Sequence, residues 1–203
     1  MERWELQNGV LEFEEENHKY LFNGEECISV TQLIKFKFPS KYDGIDPEIL
    51  KKAAKRGTFL HESVEVFEKY GIESKEYEEF RNYLFLKKAF EFKVLANEIP
   101  IVLKYKDLTI CGRLDLVLEE PNEEGIGLGD LKFTSKFDKE YLAYQLNLYK
   151  LGYEQSYGKK INFLRGIHLK QKNRKYAEIP INQEIVIDLL ENYLNYLKEN
   201  KNE

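Results

Sequence analysis

Hydrophobic and polar positions first alternate, then take up a helical period, then alternate again. Val10, Phe13, Tyr20, Phe22 and Ile28 sit among turn signals such as Asn23-Gly24, which predicts a small β-meander over residues 10–31. Thr31 to Phe38 predicts a short helix stopped by Pro39. Pro47 opens the next helix, in which Ile49, Leu50, Ala53 and Ala54 carry the pattern to about Arg56. Gly57 is expected to interrupt it. Apolar residues resume at Phe59, Leu60, Val64 and Phe67, and Gly71 ends the segment. Ser74 is expected to cap a further helix to about Leu95, with Tyr77, Phe80, Leu84 and Ala89 on one stripe.

The character then changes. Ile99–Tyr105, Leu108–Leu118 and Ile126–Phe133 read as strands bounded by turn residues. Phe137–Tyr153 reads as a helix, with Leu142, Tyr144 or Gln145, Leu148, Tyr149 and Leu151 as its periodic positions. Phe163–Leu169 and Tyr176–Ile179 return to strand. Asn182 can cap a final helix whose apolar stripe is Val186, Leu189, Leu190, Tyr193, Leu194 and Leu197. This order predicts an α+β or α/β fold, a central mixed sheet flanked by helices. We divide the chain into an N-terminal β-meander and short helix, residues 1–45, and a core, residues 46–203, within one compact domain.

Composition narrows the class. The chain has 203 residues, 42% apolar and 33% charged, which excludes a disordered or collagen-like polymer and a membrane-embedded protein. No apolar run approaches the roughly 18 residues of a spanning helix, and the acidic start MERWELQNG is not a secretory signal. There is no internal repeat and no low-complexity linker. Two cysteines, Cys27 and Cys111, supply neither a disulfide framework nor a four-cysteine metal site, so a reducing cytosol is the expected compartment. The net charge of −5 argues against a nonspecific polyanion binder. It leaves room for an enzyme acting on nucleic acid, because an acidic metal site lowers net charge while basic residues elsewhere meet phosphates. Lys35, Lys37, Lys41, Lys51, Lys52, Lys55 and Arg56 form one basic group, and Arg165, Lys170, Lys172, Arg174 and Lys175 another. Each reads either as a substrate path or as an ordinary solvated face.

Candidate chemistry centres on two strands. Asp115 lies in ICGRLDLVLEE, and Asp130 and Lys132 lie in GIGLGDLKFTSK. Period-2 geometry puts Asp130 and Lys132 on one sheet face and Leu131 on the other. A hairpin-like connection would set Asp115 beside Asp130. Adjacent carboxylates repel unless a cation sits between them, and Mg²⁺ or Mn²⁺ suits an oxygen-rich site. Lys132 would then orient an attacking water and stabilise phosphorane charge. The plain alternative is a cross-strand ion pair on a solvated face. Upstream, His61 and Glu65 are four apart on one helix face, and Gly57 would permit a close backbone or phosphate approach. Downstream, Gln145 and Tyr149 are also four apart. Glu98 reads as an outlying acid behind the ligands or as a solvated helix end. His18 and His168 have no partner pattern and are expected to be structural.

The order of these pieces is more informative than any one of them. Gly57, His61 and Glu65 are followed by Gly112 and Asp115, then by Asp130 and Lys132, then by Gln145 and Tyr149. This succession resembles the RecB-like branch of the PD-(D/E)XK nuclease superfamily over residues 57–149. The segment NHKYLFNGEECISVTQLI also resembles phage and mitochondrial exonucleases of that branch. The resemblance implies a restriction-endonuclease-like core and metal-dependent hydrolysis of DNA. It implies Asp115 and Asp130 as metal ligands, His61 as a further ligand, Lys132 as the water-positioning cation, and Gln145 and Tyr149 as supports for DNA or the water. The implied cofactor is Mg²⁺ or Mn²⁺. The implied partner is DNA with a free end, with any translocating, recombination or replication protein separate, in the cytoplasm of a bacterial or phage-infected cell. An endonuclease on the same core and a non-catalytic, nuclease-like DNA-binding phage accessory protein are the alternatives. Members of the branch that hold a four-cysteine iron–sulfur cluster are excluded by the cysteine count.

Overall fold

A computed structural model of the chain describes residues 1–17 and 19–200, so the expectation for His18 falls outside the described residues. The chain opens with four short strands, β1 (Glu2–Leu6), β2 (Gly9–Glu14), β3 (Lys19–Phe22) and β4 (Glu25–Ser29). They form an antiparallel meander. Asn23 holds one turn: its backbone adopts φ 53°, and its side-chain oxygen accepts the Val10 N–H at 2.8 Å. β1 was not foreseen. Its Trp4 and Leu6 pack against the small core of Leu11, Phe13, Tyr20 and Phe22.

Helix α1 (Val30–Lys37) starts at a capping box, in which Ser29 accepts the Gln32 N–H and Gln32 accepts the Ser29 N–H. Helix α2 (Pro47–Tyr70) starts at Asp46, whose carboxylate accepts the Glu48 N–H, and stops at left-handed Gly71. It runs unbroken through Gly57, against the expected interruption. A glycine costs a helix interior about 1 kcal/mol, and the buried turn around Leu60, Ser63 and Val64 offsets that. Helix α3 (Glu78–Phe90) begins after Tyr77, not at Ser74, whose carbonyl instead accepts the Tyr77 N–H in a turn. It also ends early. Left-handed Glu91 turns the chain, and Lys93 to Ile99 join strand β5 (Lys93–Tyr105) instead of extending the helix to Leu95. Pairing decides this, because β6 (Leu108–Glu119) is long enough to offer Lys93 a partner in Glu119.

Strand β7 (Ile126–Lys132), helix α4 (Lys139–Tyr157), strands β8 (Ile161–Lys170) and β9 (Asn173–Ile179) and helix α5 (Gln183–Glu199) follow the expected order. Asp138 caps α4, and Asn182 caps α5 as foreseen. The fold is α+β. One mixed sheet runs β1-β2-β3-β4-β6-β7-β8-β9, with β5 on β6. Helices α1, α4 and α5 pack on one side of it around Leu128 and Leu164. Helices α2 and α3 pack on the other side around Leu131, Phe163 and Ile167. The meander joins this sheet directly, through parallel pairing of β4 with β6 at Ile28–Ile110 and Ser29–Cys111. No helix among the described residues is long and apolar enough to cross a membrane.

One feature of the sheet positions the site. β5 pairs with β6 along nearly its whole length. The opposite edge of β6 is shared: β4 takes Ile110 and Cys111, and β7 takes Leu116 to Leu118. Among the described residues, 112–115 have no strand partner on that edge, so the sheet forks there.

Candidate active site

The fork gathers polar side chains from five elements. Asp115 sits on β6 where the sheet opens, and its Oδ2 accepts the Leu131 backbone N–H at 2.6 Å. His61 reaches it from α2, with Nδ1 3.8 Å from Asp115 Oδ1 and 3.8 Å from Glu98 Oε1. Phe133 packs edge-on against the His61 ring. One ligand atom each from His61, Glu98 and Asp115 lies within 4.8 Å of the others. Ligand atoms around an ion with bonds of about 2.1 Å stand roughly 3.0–4.2 Å apart, so a small contraction would bring all three onto one cation.

Glu98 is the member that sequence reasoning undervalued. It lies in β5, not at a helix end, in a left-handed backbone with φ 50°. A register shift between Val94 and Ala96 precedes it, and the pairing of Asn97 with Leu116 and Ile99 with Leu114 sets it level with Asp115. Arg113 then grips it, with Nε 2.7 Å from Glu98 Oε2, while Arg113 Nη1 holds Glu2 of β1 at 3.1 Å. The available sequence signal was a lone acid before Ile99-Pro100, and only the bulged register gives it a destination. Glu65 shares the His61 face, as its spacing implied, but its carboxylate pairs with Lys69 at 2.5 Å and stays out of the cluster.

Asp130 adjoins the cluster without belonging to its tightest group. It is 1% exposed, and neither carboxylate oxygen has a hydrogen-bond partner. Lys132 Nζ lies 2.5 Å from Asp130 Oδ2, an ion-pair contact without hydrogen-bond geometry. That pair places both side chains on one face, while Leu131 enters the core on the other. From α4, Tyr149 lies over β6: a Cβ at Gly112 would stand only 3.0 Å from its ring. Gly112 therefore admits the ring. Gln145 lies beside the Tyr149 hydroxyl, and its Oε1 is buried without a hydrogen-bond partner. The expected residues His61, Asp115, Asp130, Lys132, Gln145 and Tyr149 are thus brought together.

The electrostatics suit a cation. Burial pushes the Glu98 carboxyl up to about 8, helped by the Asp115 charge and opposed by Arg113. Burial raises Asp130 to about 6 against the pull of Lys132, and it raises Asp115 as well. Burial and the nearby Lys132 charge lower His61 to about 4, so its imidazole is neutral at pH 7 with a lone pair to offer. Burial alone would lower Lys132, but Asp130 and Asp115 outweigh it and hold the ammonium above its usual value. Burial, reinforced by Asp115 and Asp130, keeps the Tyr149 phenol protonated.

The basic groups divide. The first half of α2 stands clear of the core, and Lys51, Lys52 and Lys55 are exposed there with no ion pair among the described residues. At Gly57 an added Cβ would meet nothing within 4 Å, so an approaching ligand would find open backbone. Lys41 is engaged instead by Asp138 and by the Tyr141 ring, and Arg56 by Glu79. In the second group Arg165 is buried against Glu120 and Glu123, which removes it from any substrate path. His168 is structural, with Nε2 2.7 Å from the Thr134 carbonyl.

No protein-family model matches this chain, and no curated protein matches it. Among solved structures, one titled "Crystal structure of SSO0001" is similar over 84% of this chain and 75% of its own, at 15% identity and a TM-score of 0.48.

Proposed function

We propose that the chain is a divalent-metal-dependent deoxyribonuclease that hydrolyses phosphodiester bonds of linear or single-stranded DNA from an end. The observation that carries this reading is the convergence of His61, Glu98 and Asp115 beside the Asp130–Lys132 pair. The donor set fits Mg²⁺ or Mn²⁺: hard carboxylate oxygens with one neutral imidazole. Asp130 Oδ1, buried without a hydrogen-bond partner, adds unused acceptor capacity next to it. His61, Glu98 and Asp115 would hold the cation, with Asp130 adjoining. Once bound, such an ion acidifies a water and offsets phosphate charge.

The chain's own groups account for the rest. Lys132 stays an ammonium, so it serves as a donor and a counter-charge, not as a base. It orients the attacking water and meets the charge that builds on the phosphoryl oxygens. Tyr149 keeps its proton and can donate to a phosphate oxygen, while Gln145 Oε1 is a free acceptor for the water. Lys51, Lys52 and Lys55 offer contacts to the backbone of the strand. The preference for ends rests on the resemblance to the exonuclease branch.

The test is a titration of Mg²⁺ and Mn²⁺ with linear and covalently closed circular DNA. Loss of linear DNA with intact circles is expected, and chelator should abolish it. Efficient nicking of closed circles would replace the exonuclease with an endonuclease. Binding without cleavage in either metal would leave a non-catalytic DNA-binding protein.

A further inference from the structure

Cys27 and Cys111 are 84 residues apart in sequence, yet their sulfurs are 2.7 Å apart. Both are free thiols. They lie on β4 and β6, the short parallel pair that attaches the meander to the rest of the sheet. Each strand is also fixed on its far side, Cys27 opposite Tyr20 of β3 and Cys111 opposite Val102 of β5. The two sulfurs are therefore held inside van der Waals contact by backbone ladders, and a disulfide of about 2.05 Å needs them to close by only roughly 0.7 Å. Cys111 is fully buried in the apolar cluster of Leu11, Phe13 and Val102, whereas Cys27 is partly exposed. A reagent can therefore enter only through Cys27.

We infer that Cys27 and Cys111 form an oxidative modification site, converted reversibly by a small-molecule disulfide into an intramolecular cystine that fastens the meander to the strand carrying Asp115. The Cys27 thiolate attacks one sulfur of the small disulfide, whose S–S bond breaks, and one small thiolate leaves with the electron pair. The Cys111 sulfur then attacks the Cys27 sulfur, its proton passing to the small thiolate that this attack expels. The mixed disulfide breaks, and the second small thiol leaves. Two protein thiols are oxidised and one small disulfide is reduced to two thiols. The order of attack matches the acidities. The neighbouring Cys111 sulfhydryl lowers the Cys27 thiol below its usual value against the effect of burial, whereas Cys111 is raised by Cys27 and by burial. In a reducing compartment the dithiol is the resting form, and the cystine appears under oxidative challenge.

The experiment uses the whole reduced protein and oxidised glutathione. After the reagent is removed, free thiols are alkylated during unfolding and peptides are mapped without reductant. The expected result is an intact mass lower by two hydrogens and one peptide pair joining Cys27 to Cys111, both reversed by reductant. The thermal midpoint of the oxidised form should rise by on the order of 10 °C, because the bond closes a long loop of the unfolded chain. Cys27→Ala should form no cross-link and leave Cys111 unmodified in the native protein. A lasting glutathione adduct on Cys27, two alkylated cysteines after oxidation, or a cystine between two molecules would overturn the site. A cross-link without a rise in midpoint would overturn its fastening role.

Discussion

Asp115 accepts the Leu131 backbone N–H at 2.6 Å, just beyond the point where the β6–β7 ladder ends at Leu116 and Gly129. A side-chain oxygen thus takes over from the backbone where the sheet forks. Asp115 has a structural task in addition to any chemical one. Asp130, one residue before Leu131, holds no backbone group: its Oδ1 is buried without a hydrogen-bond partner, and its Oδ2 meets the Lys132 ammonium as an ion pair.

The two aspartates should therefore respond differently to removal. Asp115→Ala leaves the Leu131 N–H without its acceptor and should cost about 1–2 kcal/mol of stability. Asp130→Asn removes a buried charge while Lys132 keeps Asp115 as counter-charge, and the metal-free protein should melt no lower than wild type and up to a few degrees higher. Both should lose cleavage. Thermal melts in chelator, beside rates in Mn²⁺, check this, and wild-type turnover by either variant would remove that residue from the site.

Lys132→Met should lower turnover by about 100-fold or more, the usual scale for removing a group aimed at transition-state charge. Metal affinity should change little, because the ammonium is assigned to water and phosphate. If Lys132 serves only to neutralise Asp130, the melting point will fall while the folded fraction stays active. Calorimetric metal titration and single-turnover rates on the same preparation separate the two.

The acidic groups predict an unusual pH dependence. Glu98 titrates at about 8 in the folded protein and near the ordinary carboxylate value of about 4.3 when unfolded. The folded state therefore holds the extra proton, and this contribution to stability is present at low pH and lost as pH rises through about 8. Asp130 acts in the same direction through about 6. His61 acts oppositely, but only as pH falls from 6.5 towards 4. Metal-free protein should consequently melt lower at pH 8.5 than at pH 6.5, while stabilisation by Mn²⁺ should be larger at pH 8.5, because ligands bind in their deprotonated form. Melting curves with chelator and with Mn²⁺ at these two values measure both slopes.

His61→Ala should narrow the advantage of Mn²⁺ over Mg²⁺, since imidazole favours the transition metal. Comparing two metals in one variant cancels any loss of folded protein. An unchanged ratio of the two activities would move His61 from the metal to packing against Phe133.

What sequence alone determined was whatever depends on near neighbours along the chain. Period two put Asp130 and Lys132 on one face and Leu131 in the core. Helical spacing stacked Gln145 above Tyr149, and an asparagine at 182 capped the last helix as its side chain allows. The α+β class followed from the order of such segments. Tertiary structure decided what depends on partners distant in sequence. Residues 93–98 became strand because β6 could pair with them, and α2 ran through Gly57 because the turns beyond it are buried. Glu98 reached the site only through a bulged register that sets it level with Asp115, with Arg113 to hold it. Cys27 met Cys111 through the same sharing of one β6 edge between two strands that opens the fork. Local periodicity fixes which way a side chain points, whereas the free energy of long-range pairing and burial fixes what it meets.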